Sequence, residues 1–213
     1  MKNSILKIAL IFTLLLLFVS ISAFSYVFAV SNNISDSVFR LHVIANSDSE
    51  EDQSLKLKVR DALLEYMNEI SAEANSKEEA MKIANNHLEN FYNISEKTIK
   101  DNGYSYPVEI TIGKCDFPTK IYGDISLPSG TYDALRVKIG SSQGHNWWCV
   151  MFPPLCFVDV SSGIVPAESK EVLQDSLNDE EYELITSAGS DGNTFKFKLV
   201  EFIENLKIGS AKQ

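Results

Sequence analysis

The chain has 213 residues, 45% of them hydrophobic, and a formal net charge of −10 at pH 7. This length suffices for one medium-sized domain with additional segments. Because the charge is strongly negative, nucleic acid and anionic lipid headgroups are disfavoured as partners.

An apolar segment lies near the start of the chain. Residues 8–30 carry no charged side chain and are numerous enough to cross a hydrocarbon core of roughly 30 Å. Lys2 and Lys7 precede this segment, whereas the next basic residue is Arg40. This asymmetry places the N-terminus in the cytoplasm and the rest of the chain across the membrane. Residues 1–29 contain two lysines and no acid, so the remainder carries −12.

Two fates of residues 1–30 remain open from the sequence. Val27 and Ala29 suit the −3 and −1 positions of a signal-peptide cleavage site. However, the apolar run is longer than the roughly 7–15 residues of a typical signal core, which favours a retained membrane anchor. In either case residues 31–160 form the exported domain, and residues 161–213 form an acidic connector followed by an amphipathic helix at 195–206.

The first half of the exported domain reads as a strand and two helices. Alternation predicts a strand at 38–45, and both of its faces are partly apolar, as expected for a strand covered on both sides. Apolar residues at spacings of three and four predict helices over about 50–74 and 77–100. Each helix follows a serine with an acid three residues later, which is the spacing of a capping box.

The second half is rich in strands and turns. We predict five further strands, a loop over 113–123 and a short helix within 168–183. The fold class is therefore α+β: a small, mainly antiparallel sheet with the two helices packed on one face, preceded by an N-terminal hydrophobic helix. The strand segments are 108–112, 124–127, 132–139, 147–152 and 157–160.

Two of the three cysteines lie on either side of a Pro-Pro pair. Outside the cytoplasm, Cys149 and Cys156 are expected to form a disulfide that stabilises the fold by about 2–3 kcal/mol; two buried free thiols are the alternative. Cys149 as a nucleophile activated by His42 or His145 is disfavoured, because an apolar strand disfavours a thiolate. The scattered histidines and the wide cysteine spacing argue against zinc. No cofactor motif is found.

Six residues are candidates for contact with a partner. The first four cluster where the first strand ends and the first helix begins, a common place for a site. The two tryptophans are adjacent, so on a strand they point to opposite faces, one into the core and the other free to anchor a partner. Structural roles remain open: a buried Arg–Asp pair, a helix cap and two core tryptophans. The candidates are Arg40, His42, Asn46, Asp48, Trp147 and Trp148.

Several blocks of sequence resemble the stage II sporulation protein R family of endospore-forming bacteria. They include FRLHVIANSDS at 39–49, LKLKVRD at 55–61, FPTKIYG at 117–123, LPSGTYDALRV at 127–137 and NWWCVMFPPLCFVD at 146–159. The resemblance covers roughly residues 38–160, and the segment after residue 161 matches less clearly.

The resemblance implies a signalling role rather than enzymatic activity. Members of the family are exported from the forespore into the space between two membranes, where they activate a membrane-embedded aspartic protease that processes a mother-cell pro-sigma factor. The chain would be released there or tethered by its N-terminal helix, with no small-molecule substrate. The alternatives are an extracytoplasmic hydrolase of cell-wall material, with Arg40, His42, Asp48 and Cys149 in one cleft, and a passive membrane-tethered module.

Overall fold

The computed structural model describes residues 2–156 and 165–186. The strand predicted at 157–160 and the helix predicted at 195–206 lie outside the described residues.

Helices and strands within the described residues follow one another in a mixed order. The described part of the chain contains α1 (Lys2–Asp36), β1 (Phe39–Ile44), α2 (Glu50–Ile70), α3 (Lys77–Asn86), α4 (Leu88–Asp101), β2 (Val108–Phe117), β3 (Lys120–Tyr122), β4 (Ile125–Leu127), β5 (Gly130–Ile139), β6 (Asn146–Phe152), α5 (Ala167–Ser176) and α6 (Asp179–Thr186).

A four-stranded sheet in the order β2-β5-β1-β6 forms the centre of the molecule. β5 pairs antiparallel with β2, and β6 pairs antiparallel with β1, whereas β1 and β5 are parallel. β3 and β4 form a separate antiparallel hairpin. The predicted α+β class with a mainly antiparallel sheet is confirmed, and the central parallel pair is the feature that strand patterns did not indicate.

Three predicted boundaries differ from the structure. The segment 113–123 was expected to be a loop, but β2 extends into it as far as Phe117, and β3 also lies within it. β2 extends this far because β5 begins at Gly130 and offers a pairing partner for each residue up to Phe117. The predicted helix over 77–100 is two helices that meet at His87. The preceding helix ends at Ile70, not near residue 74.

The first face of the sheet packs against α2, α3 and α4. On this face β1 contributes three fully buried side chains, those of Phe39, Leu41 and Val43. Leu63 and Phe91 from the helices belong to the same apolar cluster. Such a large contiguous apolar cluster is the main source of folding free energy.

The second face of the sheet carries the alternate side chains and has a different cover. Val38 and Ala134 on this face join a smaller apolar cluster with Leu127 of the β3–β4 hairpin, Leu173 of α5 and Ile185 of α6. Arg40 and His42 of β1 also lie on this face, because side chains alternate along a strand.

Both predicted capping boxes have the expected contact at the helix start. The hydroxyl of Ser49 accepts a hydrogen bond from the Asp52 amide at 3.2 Å, and the hydroxyl of Ser76 accepts one from the Glu79 amide at 3.2 Å. Both contacts satisfy amides that have no partner within the helix.

α1 joins the domain directly at its C-terminal end. Val30 and Ile34 are buried in the second-face cluster, and Asn33 donates to Glu181 of α6 at 2.7 Å. Asp36 lies 3.5 Å from the Lys114 ammonium of β2. The segment Ile5–Asp36 is long and apolar enough to cross a membrane. A single helix of this kind near the N-terminus is also compatible with a signal sequence.

Candidate partner-binding site

Four side chains of the second face form a row across the whole sheet. Thr111 of β2 pairs with Arg136 of β5, which pairs with His42 of β1, which in turn pairs with Trp148 of β6. Adjacent strands are about 4.8 Å apart, so these residues are immediate neighbours. Each of the four is half-buried, so the row lies at the margin of the covered part of this face. We use the name second-face row for three of these four residues, Arg136, His42 and Trp148, and leave out Thr111 at the edge strand.

Arg40 lies one step along β1 from this row and is fully buried. Its guanidinium donates to the Tyr122 hydroxyl at 2.7 Å and lies 4.0 Å from the ring centre of Phe117 and 4.5 Å from that of Tyr132. Among the described residues, its Nε and Nη1 have no hydrogen-bond partner. The expected buried Arg–Asp pair is not formed within the described residues; aromatic faces surround the cation instead.

The burial of Arg40 changes the role expected for it. A fully covered side chain does not touch a partner in this conformation, so the contacts of Arg40 are structural. It holds Tyr122 of the β3–β4 hairpin over the sheet, and the Tyr122 hydroxyl also donates to the Trp148 carbonyl at 3.3 Å.

His42 is held between aromatic rings. It stacks on Trp148 at 5.6 Å between ring centres, and its Nε2 lies 2.7 Å from Asn146 Oδ1. Burial lowers the pKa of His42 below its ordinary value; the Asn146 hydrogen bond opposes this effect, and the nearby positive charges of Arg136 and Arg40 add to it. The lowered pKa favours neutral His42 at pH 7, and its buried Nδ1 has no hydrogen-bond partner in the described part of the chain.

The two tryptophans point to opposite faces, as their adjacency predicted. Trp148 joins the second-face cluster, with the Lys120 ammonium 4.7 Å from the ring centre. Trp147 packs against the first-face cluster, with the Arg60 guanidinium 4.2 Å from the ring centre. Both are half-buried, so neither is wholly core nor wholly exposed.

Asn46 is engaged inside the fold. Its amide donates to Asp52 at 2.7 Å, and its side-chain oxygen accepts from the Ser141 amide at 2.9 Å. Burial acts to raise the pKa of Asp52, but hydrogen bonds from Ser47 and Asn46 outweigh it and hold that pKa below the ordinary value. Gly140 follows β5 with a positive φ of 58°, and a Cβ at this position would collide with the Asn46 side chain. Asn46 thus ties the loop after β5 to the start of α2.

Asp48 is exposed and lies away from the second-face row. It accepts a hydrogen bond from the His145 amide at 2.6 Å and contacts the ring of the same residue. This contact holds the start of β6 against the start of α2. Of the six candidates, the structure therefore brings together Arg40, His42 and Trp148, and places Asn46, Asp48 and Trp147 elsewhere.

Cys149 and Cys156 are joined by a disulfide, with their Cα atoms 5.4 Å apart. Cys149 projects from β6 into the first-face cluster. Cys115 is a buried free thiol on the second face, and burial raises its pKa, which disfavours the reactive thiolate.

The residues needed for the hydrolase alternative do not converge. Arg40 and His42 lie on the second face, whereas Cys149 projects from the first face and is held in a disulfide. Asp48 lies beyond the end of β1. The arrangement on which that alternative depended is therefore absent. Within the described residues, no group of His, Cys, Asp and Glu side chains is arranged to hold a metal ion.

Sequence reasoning did not select three residues that adjoin Arg40, His42 and Trp148. Arg136 pairs with His42, Lys120 lies over the ring of Trp148, and Tyr122 bonds to Arg40. The sequence indicates which face of β5 carries Arg136, because this residue alternates with the apolar residues of the strand. It does not indicate that Arg136 lies opposite His42, because the parallel pairing of β1 with β5 joins segments that are far apart in sequence.

Comparisons with known proteins agree on one family. The family model of stage II sporulation protein R (spore_II_R) matches residues 35–162. The stage II sporulation protein R of Bacillus subtilis (strain 168) is 35% identical over 186 residues, covering 81% of this chain and 83% of that protein. No solved structure gives a significant match. The chain belongs to the stage II sporulation protein R family.

Proposed function

We propose that this chain is an exported sporulation signal. It binds the outer face of a membrane-embedded aspartic protease and raises the cleavage of a mother-cell pro-sigma factor. The observation that carries this proposal is the family match over residues 35–162, together with 35% identity to the Bacillus subtilis protein. The apolar α1 supports export or tethering, because its composition suits a membrane span or a signal sequence.

Activation requires that the chain bind the active state of the protease more tightly than the inactive state. A tenfold preference corresponds to about 1.4 kcal/mol of differential binding. A modest interface with one good anchor can supply such a difference.

The second-face row is the contact surface that we propose for the protease. Trp148 is a half-buried aromatic residue with a cation on its ring, and tryptophan is enriched among residues that dominate binding energy. Asn46 is already engaged by Asp52 and Ser141, so a partner would have to break existing hydrogen bonds to use it.

The junction of α1 with the domain fits action close to a membrane. If α1 is retained, contacts such as Asn33 to Glu181 fix the domain at the end of the membrane helix. A tether of this kind raises the effective concentration of the domain at the outer face of a membrane protease.

Reconstitution tests the proposal. The full chain, the protease and its pro-sigma substrate are combined in liposomes with the domain outside, and cleavage is followed on gels. We expect wild-type chain to raise cleavage and Trp148→Ala to reduce this rise about tenfold. Tyr92→Ala is the matched control, because Tyr92 is an exposed aromatic residue on α4, away from the row.

Two outcomes would contradict the proposal. Cleavage that is unchanged by wild-type chain would identify a passive module. Equal loss in Trp148→Ala and Tyr92→Ala, with both variants folded by circular dichroism, would remove the second-face row as the contact surface.

A further inference from the structure

The second face carries cations that have no acidic partner within the described residues. Arg136 and Arg40 form no ion pair there, and the ammonium of Lys120 faces the ring of Trp148. Arg136 is half-buried, and its Nε is covered and lacks a hydrogen-bond acceptor. In a chain with a net charge of −10, three unpaired cations on one face are unexpected.

Two other cations of the sheet are paired with carboxylates. On the second face, Lys138, two residues further along β5, lies opposite Glu109 of β2 and bonds to it at 3.0 Å. On the first face, Lys114 of β2 lies opposite Asp133 and bonds to it at 3.1 Å. The sheet therefore supplies a carboxylate for neighbouring cations, whereas Arg136 faces the neutral residues Thr111 and His42.

Arg40 increases the positive potential beneath this row. It is fully buried, and two of its guanidinium nitrogens have no acceptor among residues 2–156 and 165–186. A buried cation without a carboxylate is costly. It favours an anion at the adjacent surface, because a charge in a low-dielectric region is poorly screened.

We propose that Arg136 and Lys120, with His42 and Trp148 between them, bind a carboxylate-bearing peptide segment of the protein partner. This inference rests on the proposed function and names the chemistry of the partner at the same surface. A guanidinium takes a carboxylate through two parallel hydrogen bonds. The ring of Trp148 supplies the apolar contact beside it.

Charge complementarity singles out an acidic segment. The chain as a whole repels acidic partners, so an acidic segment is favoured only where unpaired cations cluster. A neutral segment would leave Arg136 and Lys120 uncompensated when water is excluded from the contact.

A peptide titration tests this chemistry without the protease. Full chain in nanodiscs of zwitterionic lipid is labelled with ¹⁵N at tryptophan and arginine. The probes are a glutamate hexapeptide, a glutamine hexapeptide and inorganic phosphate. We expect the glutamate peptide alone to shift the Trp148 indole and Arg136 Nε signals. Arg136→Gln should weaken its binding about tenfold.

Lys120→Gln is the second variant, because it changes the hairpin rather than the central sheet. We expect it also to weaken binding. Lys82→Gln removes a charge of the same sign from the exposed surface of α3 and should leave binding unchanged. Higher salt should weaken binding of the wild-type chain.

Three results would overturn the inference: equal shifts with the glutamate and glutamine peptides, equal shifts with phosphate and the glutamate peptide, or equal weakening by Lys82→Gln. The proposed function fails separately. If the glutamate peptide binds but liposome cleavage is not stimulated, the activating role is wrong. If cleavage is stimulated and remains unaffected by Arg136→Gln, the acidic partner is wrong.

Discussion

The two faces of the central sheet are built from the same strands but differ in the chemistry of their side chains. On β1, Leu41 faces α2 to α4 within a continuous apolar cluster, while Arg40, one residue earlier, faces the other way among aromatic rings. Apolar burial stabilises the fold without requiring a specific partner. A buried charge requires compensation, and Arg40 receives only part of it.

This difference separates the part of the sheet that stabilises the fold from the part that we propose contacts a partner. The first face supplies folding free energy. The second face holds a neutral histidine and cations that have no carboxylate partner within the described residues, and burying such a cation is costly. Such features are expected where a partner completes the surroundings of a site.

The largest effect is expected from a cavity on the first face. Leu41→Ala removes a fully buried side chain and should lower the free energy of unfolding by about 3 kcal/mol. Urea unfolding of the full chain in detergent, followed by far-UV circular dichroism, measures this loss. A loss below about 1 kcal/mol would mean that the first face is not the stability core.

The disulfide should have the next largest effect. Cys149 and Cys156 are separated by seven positions, and closing so short a loop stabilises by about 2–3 kcal/mol in the chain-entropy model. Cys149→Ala with Cys156→Ala should therefore unfold at lower urea. Reductant should lower the stability of the wild-type chain and leave the double variant unchanged. A reductant effect on both chains would show that another contact is responsible.

Arg40→Met should change stability by less than about 1 kcal/mol, because relief of the charge burial offsets the lost cation–π contacts. Arg40→Ala, which also leaves a cavity, should cost more than Arg40→Met. The same urea titration compares them. If Arg40→Met lowers the free energy of unfolding about as much as Leu41→Ala does, the two faces do not differ in their contribution to stability.

The smallest effect is a pH dependence from His42. Its pKa is lower in the folded state than the ordinary value of 6.5, so the unfolded chain binds the proton more readily. Stability from this group is complete above that ordinary value and declines as the pH falls below it. Urea midpoints from about pH 8 to about pH 5 should fall more steeply in wild-type chain than in His42→Gln. Identical slopes would show that His42 is not held neutral by the fold.

Much of the architecture was readable from local patterns. The serine caps before α2 and α3 and the alternation in β1 are short-range signals, because they depend on neighbours within a few residues. The break between α3 and α4 at His87 was not readable, since the apolar spacing continues across it. The continuation of β2 to Phe117 depended on pairing with the distant β5.

The candidate site was only partly predictable for the same reason. Arg40, His42 and Trp148 were selected from strand position and residue type. Their neighbour Arg136 was not, because strand register joins residues that are far apart in sequence.

The sequence by itself determined the apolar N-terminal segment, the fold class and the family. These follow from composition, periodicity and contiguous motifs. The sequence favoured a bond between Cys149 and Cys156 over two free thiols, and the structure decided for the disulfide. Only the tertiary structure decided that Arg40 is enclosed by aromatic rings and that Arg136 has no carboxylate opposite it. The physical reason is that burial and charge pairing depend on which strands lie side by side, and that arrangement is set by the packing of the whole chain.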